Sequence, residues 1–425
     1  MQHWPKLLFF LLIPLAIWIS FKSNPYPDKL IWSDMEGYYV YLPATFIYGG
    51  FDKVQVRDKD YLKPLPGTTK IYTKYTCGAA MLEAPFFLTA HALSGPLGYP
   101  SDGHSAIYSY GLMMAGVFYA LAGLLLLWPV IRRHFSRAAA AVALGGLLFG
   151  TNLYYYTFCQ PAMSHVYGFF LFAALLWLTE RVLANPVSRL NWALLGLSAG
   201  WLALTRPTNA IILLYPLYRW WQETPDKKAF LRRQLPHLAL AAGVGFLIFV
   251  PQLLYWKYMT GNWITWSYTD EGFIYWKAPK LFKVLFGAWN GWILYSPIVI
   301  LPLTGIFAGL RRDRLGERGM LAVLAIATYL FASWWAWWFG GAFGHRCYVE
   351  YYALLALPFA AVAEKIFRTK AGAFALTAFI IICICFNLSF TYHYLVSAPW
   401  DGANWTYESV WKEYLRAWRL EDFKN

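Results

Sequence analysis

The sequence predicts an all-α polytopic integral membrane protein, and three observations predict it. First, its 425 residues are 59% hydrophobic, 20% aromatic and only 14% charged, with a mean hydropathy of +0.40. A soluble domain carries about 25% charged and about 45–50% apolar residues, and this much apolar surface does not fit inside a water-soluble globule. Second, the apolar residues fall in runs close to the ~20 residues that cross a ~30 Å hydrocarbon core as a helix. Third, Lys and Arg gather in short clusters between those runs. The composition excludes an ordinary cytosolic enzyme, a disordered chain and a disulfide scaffold. The net charge of +14 reflects these topogenic clusters, so nucleic acid is not an expected partner.

The first apolar run, 7–21, follows Lys6 and holds no charge. No small-x-small cleavage site follows it at Ser23-Asn24-Pro25-Tyr26-Pro27, so it reads as an uncleaved first span. Further spans are expected at about 105–131, 138–157, 162–180, 190–205, 207–219, 236–256, 287–310, 319–338, 348–364 and 371–391, which makes about eleven. The stretch 79–97 is apolar but contains Glu83, Pro85 and His91, and reads as a re-entrant or interfacial helix. One set of loops holds 18 Lys and Arg against six acids, and the opposite set holds the remaining 18 against 16. The first set is expected in the cytoplasm, with the N-terminus, and the tail 392–425 outside. The expected organisation is one transmembrane module, 1–391, with a long first outer loop at 22–104 and a second, rich in Trp, Tyr and Lys, at 257–286. The five cysteines have no metal-ligand spacing, and no internal repeat is visible.

Placed against these spans, no Asp, Glu, Lys or Arg falls near the middle of a long one. Ion-coupled transporters keep ionisable groups there, so that class is disfavoured. Ionisable residues collect instead at the outer rim: Asp34, Glu36, Arg206, His345, Arg346 and Glu350, with His165 at the same level. No Walker loop or dinucleotide fingerprint is present. A site half in lipid and half in water suits an amphiphile with a phosphate head and a polyprenyl tail. Arg, Lys and His would bind the phosphate.

Asp34 and Glu36 face the same side if extended and diverge by about 200° if helical. Desolvation and the like charge are expected to raise their proton affinity, which suits a general base for an acceptor hydroxyl. Alternatively both are solvated, or cap a helix over Gly37-Tyr38-Tyr39. Arg206 in Thr205-Arg206-Pro207-Thr208-Asn209 reads either as a phosphate ligand or as a snorkelling side chain. His345-Arg346 after Gly340-Gly341-Ala342-Phe343-Gly344 reads as a phosphate pocket or a solvated span end. Ser164-His165 is a substrate contact or an interior hydrogen-bonded pair, and Lys74 is a site residue or a solvated lysine. Trp334-Trp335-Ala336-Trp337-Trp338 reads as an interfacial anchor. Trp289 and Tyr295 read as packing. The aromatic tail reads as a surface lid without chemistry of its own. Oxygen ligands suit Mg²⁺ or Mn²⁺, and Asp34, Glu36 and His165 are the set that would hold one.

Over about residues 1–390 these motifs, in this order, resemble the GT-C glycosyltransferases, in particular the bacterial branch similar to protein O-mannosyltransferases and the lipid A aminoarabinose transferase. The matching pieces are Asp34-Met35-Glu36-Gly37-Tyr38-Tyr39 directly after span one, Lys74-Tyr75-Thr76-Cys77-Gly78, Met81-Leu82-Glu83-Ala84-Pro85-Phe86-Phe87, Ser164-His165, Arg206-Pro207-Thr208, Tyr295-Ser296-Pro297 and Gly344-His345-Arg346. The resemblance implies a GT-C-like fold in the inner membrane and transfer from a polyprenyl-phosphate sugar at the outer face. No cofactor is required. It implies Asp34 or Glu36 as base, and Arg346, His345, Arg206 and Lys74 on the donor phosphate. Tyr38, Tyr39, Tyr75, His165, Tyr295 and Glu350 would line the substrate groove. The acceptor is a glycan, a lipid or a protein. Two departures bear on this: many relatives have adjacent acids where this chain has Asp34-Met35-Glu36, and only ~30 residues follow the last span. A lipid-linked-sugar flippase and a non-catalytic envelope scaffold are the alternatives.

Overall fold

The structure is a computed structural model that describes residues 4–397 and 405–416, with side chains from 13 to 396 and from 405 to 416. Eighteen α-helices run through the described residues. In the first part of the chain they are α1 (Trp4–Ser23), α2 (Ser33–Tyr39), α3 (Tyr41–Phe46), α4 (Gly78–Ser94), α5 (Ala106–Arg132), α6 (Arg137–Gly150), α7 (Leu153–Phe158), α8 (Ser164–Ala184) and α9 (Arg189–Thr205). There follow α10 (Leu214–Glu223), α11 (Lys227–Thr260), α12 (Leu281–Phe286), α13 (Trp292–Tyr295), α14 (Ile300–Gly309), α15 (Glu317–Ser333), α16 (Tyr352–Ile366), α17 (Lys370–Ser397) and α18 (Tyr407–Arg416). Among the described residues there is no strand; an isolated bridge joins Pro64 to Ile71 between α3 and α4. The expected tail 392–425 lies partly outside the described residues. Its described part continues α17 and forms α18.

Four helices, α5, α8, α11 and α17, are long and apolar enough to cross a membrane. Three stretches read as single spans are instead divided. The stretch 138–157 splits at Thr151-Asn152 into α6 and α7, and 207–219 opens as a 3₁₀ turn, Pro207–Leu213, before α10. The stretch 287–310 becomes α13, a 3₁₀ turn at Pro297–Val299, and α14. Proline supplies the reason in two of the three: Pro207 and Pro297 have no N–H to continue an α-helical ladder. Such broken backbone is tolerated at membrane depth only where protein surrounds it, and Tyr295, Ile298 and Val299 are indeed fully buried. The apolar stretch 79–97 is helical as α4 and packs on α5.

The centre of the bundle is α16, whose residues from Tyr352 to Ala356 are inaccessible. The outermost helix is α11, whose Leu235, Phe246 and Leu247 are all more than 60% exposed. It joins the body by packing on α9. A Cβ on Gly196 would lie 2.1 Å from the Ala241 carbonyl oxygen, and one on Gly200 would lie 2.5 Å from that of Gly245. Apolar helices in lipid gain little from hydrophobicity and associate through close backbone approach at small residues. Gly196→Val is therefore expected to separate α9 from α11. Overpacking of this kind costs about 1–3 kcal/mol. A thermal melt in detergent should show a lowered midpoint, and an unchanged midpoint would mean that the crossing is dispensable.

Candidate functional site

Asp34 lies in the first turn of α2, which starts at Ser33 with a left-handed φ of 51°. The Ser33 N–H donates to Asp58 Oδ2 at 3.2 Å, so the stretch after α3 sets this turn. Arg346 Nη2 meets Asp34 Oδ2 at 2.7 Å, with each side chain 17% exposed. The Tyr61 hydroxyl donates to Asp34 Oδ1 and is paired with the Tyr75 hydroxyl. Gly37 makes room for this: a Cβ there would strike the Tyr75 ring at 2.5 Å. Tyr38 packs on Tyr75 at 4.2 Å between ring centroids.

Burial pushes the Asp34 carboxyl up, but Arg346 with the Tyr61 and Tyr75 hydroxyls outweighs burial and holds it below the ordinary 3.8. This reverses the expected direction. The expectation counted desolvation, which is the largest single effect, and the second acid; it missed the guanidinium and the two hydroxyls, which together outweigh it.

Glu36 corrects a second expectation. Because 33–39 is helical, the two acids point apart. Glu36 is fully buried. Its Oε1 accepts the Arg57 N–H at 2.6 Å and its Oε2 the Asp58 N–H at 2.8 Å. His104 Nε2 is 3.3 Å from Oε1. Burial raises this carboxyl too, and His104 with the two N–H groups brings it below 4.5. Arg57 completes the knot by donating to the carbonyls of Asp28 and His104. Glu36 thus fastens the segment around Arg57, Asp58 and His104 onto α2.

On the other side of Arg346, the end of α9 places Arg206 against the start of α8 and the turn after Gly344. Arg206 Nη2 is 3.1 Å from Cys347 Sγ, Nη1 is 3.0 Å from His165 Nδ1, and Nη1 is 3.6 Å from Glu350 Oε1. His165 Nδ1 also lies 3.1 Å from Glu350 Oε1. Glu350 needs Gly168 opposite, where a Cβ would sit 2.3 Å from Glu350 Cγ. Glu350 Oε2 and Ser164 Oγ are buried without a hydrogen-bond partner. Tyr38 lies in the fields of both Arg206 and Asp34. Two guanidiniums and two carboxyl groups, Asp34 and Glu350, thus gather between α2, α8, the end of α9 and the turn 344–350.

Other expected residues fall elsewhere. His345 is packed among Phe331, Phe339 and Tyr348, with Nε2 3.1 Å from the Trp337 carbonyl. Burial, with Arg206 and Arg346 nearby, pushes its imidazole down to about 3. The ring is neutral, donates to Trp337 and holds the turn that aims Arg346. Lys74 is ion-paired with Glu271 and lies 5.4 Å from the Tyr268 ring centroid, beside Tyr61 and Tyr75. The Tyr39 hydroxyl donates to the Gly103 carbonyl. Tyr295 donates to the Ala288 carbonyl at 2.8 Å and accepts from Trp405 Nε1 at 2.9 Å. Both tyrosines are fully buried packing residues. Trp334 stacks edge-on with Tyr268 and Phe273 of the stretch between α11 and α12.

Tyr61, Arg57, His104, Cys347 and Glu271 were not singled out from the sequence. Tyr61 has no local signal, since its partner is 27 positions away. Among the described residues no three His, Cys, Asp or Glu side chains are placed to hold one metal ion. Asp34, Glu36 and His165 do not fit as a set, because each is turned to a different partner.

The chain matches no protein-family model and no curated protein. Among solved structures it is similar to the oligosaccharyltransferase AglB of Archaeoglobus fulgidus in complex with an inhibitory peptide and a dolichol-phosphate. That likeness has 14% identity over 97% of this chain and 54% of that one, with a TM-score of 0.49. The apo form of the Archaeoglobus fulgidus oligosaccharyltransferase gives 15% identity over 97% and 57%, with a TM-score of 0.48. Its complex with Zn and sulfate gives 13% over 95% and 52%, with a TM-score of 0.43. The chain spans about half the length of these structures.

Two expectations follow. Glu36→Ala removes the buried acceptor of two part-buried N–H groups and is expected to cost about 2 kcal/mol. Because the folded-state value lies below the ordinary 4.5, the contribution is complete above that value and is lost as pH falls through the folded one. Thermal melts of wild type and variant should therefore converge in acid, and parallel melts down to pH 3 would contradict the assignment. Arg346→Ala removes the attraction and leaves burial, so the Asp34 carboxyl should titrate at higher pH. Infrared difference spectra against Asp34→Asn would read the shift, and an unmoved carboxyl band would refute the pairing.

Proposed function

We propose that the chain is a GT-C-type glycosyltransferase that moves a sugar from a polyprenyl-phosphate donor to an acceptor hydroxyl at the outer membrane face. The observation that carries this reading is the 2.7 Å contact between Arg346 and Asp34 beside a second guanidinium, Arg206. The acid and both cations come from stretches that the sequence places on the outer side. The proposal includes about eleven spans in the inner membrane and a cytoplasmic N-terminus.

The chemistry follows from charge. A guanidinium prefers a phosphate oxygen, to which it presents a two-pronged donor. An arriving donor phosphate takes Arg346 away from Asp34, and Arg206 supports it from the Cys347 side. Asp34 then keeps the effect of burial and loses most of its compensation, so its proton affinity rises. The base is switched on by the donor. The acceptor oxygen attacks the anomeric carbon and forms the new glycosidic bond. The anomeric carbon–phosphate oxygen bond breaks, its electron pair leaves with the polyprenyl phosphate, and the hydroxyl proton passes to Asp34. One displacement inverts the anomeric centre. Phosphate is a good leaving group, so no general acid is needed, and Glu36 takes no part.

Removing a positioned base costs about 10²–10⁴-fold. Asp34→Asn is expected to abolish one hexose, pentose or amino-sugar increment in mass spectra of envelope glycans, lipids and proteins from cells carrying the variant. It should also lower turnover of purified lipid-linked donor by that factor. Near-normal turnover would remove Asp34 from the role.

A further inference from the structure

Between the two outer loops lies a water-facing cleft of about 350 Å³, within the usual range of small-molecule sites. Its walls carry the rings of Tyr61, Tyr72, Tyr75 and Trp266, and the hydroxyls of Thr265 and Ser267. Among the described residues that line it there is no carboxylate, and the cations are Lys63 and Lys74, of which Lys74 is already paired with Glu271. The walls are tied to each other. Ser267 Oγ donates to the Lys74 carbonyl at 2.7 Å, and Thr260 and Thr265 share a hydroxyl contact at 2.9 Å. The floor is Tyr61, whose hydroxyl is the one bonded to Asp34.

We infer that this cleft is the acceptor site and that its occupant is a sugar at the end of a glycan, an inference that rests on the glycosyltransferase reading above. A sugar ring presents an apolar C–H face and a rim of hydroxyls. An aromatic face takes the first, and hydroxyl side chains, which donate and accept, take the second. Trp266 is 59% exposed beside Thr265 and Ser267 and offers both. A peptide laid along the cleft would need a strand edge to pair with, and there is no strand among the described residues; an acidic lipid head would need a cluster of cations, and Lys63 is the one lining cation not ion-paired among the described residues. A sugar seated against Trp266 points one hydroxyl at Tyr61. Displacing the Tyr61 hydroxyl from Asp34 brings the acceptor O–H to the base. Its oxygen bonds the anomeric carbon, its proton goes to Asp34, and the lipid phosphate departs with the electron pair.

The test uses the full chain in living cells. A benzoylphenylalanine placed at Trp266, where one aromatic side chain replaces another, in an Asp34→Asn background, which binds without turning over, is irradiated and the purified protein weighed. The expected adduct grows in hexose or amino-sugar increments and is cleaved by periodate. An adduct made only of peptide or of lipid overturns the inference. In parallel, Thr265→Trp should fill the cleft and lower the envelope modification at least tenfold. Trp266→Ala should raise the acceptor KM about tenfold, the loss of about 1.4 kcal/mol of stacking. Trp263→Ala, on the same loop but outside the cleft, should change nothing. Full modification in both cleft variants overturns the acceptor site while leaving the transferase standing. Identical envelopes in wild type and Asp34→Asn overturn the transferase, whatever the adduct shows.

Discussion

A charge placed where little water reaches must find an opposite charge, and here that requirement joins residues more than 300 positions apart. Asp34 enters from the segment 22–104 and Arg346 from the turn before α16, and among the described residues neither has another ionic partner. Burial of a lone carboxylate or guanidinium costs several kcal/mol. The pairing therefore fixes how α2 sits against the centre of the bundle. Glu36 does the neighbouring task on the other face of α2. It uses two backbone N–H groups in place of a guanidinium, and so the loop above Asp34 has one register. Two acids two positions apart thus divide the labour: one is held by a movable cation and the other by the main chain.

The fold class was legible because it rests on bulk quantities. Apolar fraction and the length of runs such as 105–131 and 371–391 survive any local detail, and both became long helices, α5 and α17. The divided helices were harder. A hydropathy window averages over Pro207 and Pro297, whereas the backbone must stop its hydrogen-bond ladder there. At the site, the sequence drew attention to Asp34, Arg206, Arg346, His165 and Glu350 because charge is conspicuous in an apolar chain. The structure gathers these five. It failed for His345, which looks like an anion ligand beside Arg346 yet is spent holding the Trp337 carbonyl. It failed for the direction of the Asp34 proton affinity, which depends on a partner that no spacing reveals. Tyr61, an unremarkable tyrosine in a polar loop, gave no signal at all.

Small residues recur wherever one part of the site must come close to another. Gly37 admits the Tyr75 ring, Gly168 admits the Glu350 side chain, and Gly344, with a left-handed φ of 65°, turns the chain just before His345. A methyl group at Gly37 or Gly168 would push the site residue opposite it aside, and one at Gly344 would press on Tyr295 and Asn152 behind the turn. Precision at the polar centre therefore rests on uncharged positions that a search for catalytic residues passes over.

Tyr61 carries a consequence for economy. On the proposed reading, the activated sugar of a lipid carrier is exposed to a solvent that is itself a competent nucleophile. With a phenol on one oxygen of Asp34 and a guanidinium on the other, the idle protein offers water no free proton acceptor. On that reading the donor uncovers only the oxygen held by the guanidinium, while the oxygen that faces the acceptor stays capped until a proper acceptor lifts the phenol aside, so fidelity and thrift come from the same hydrogen bond.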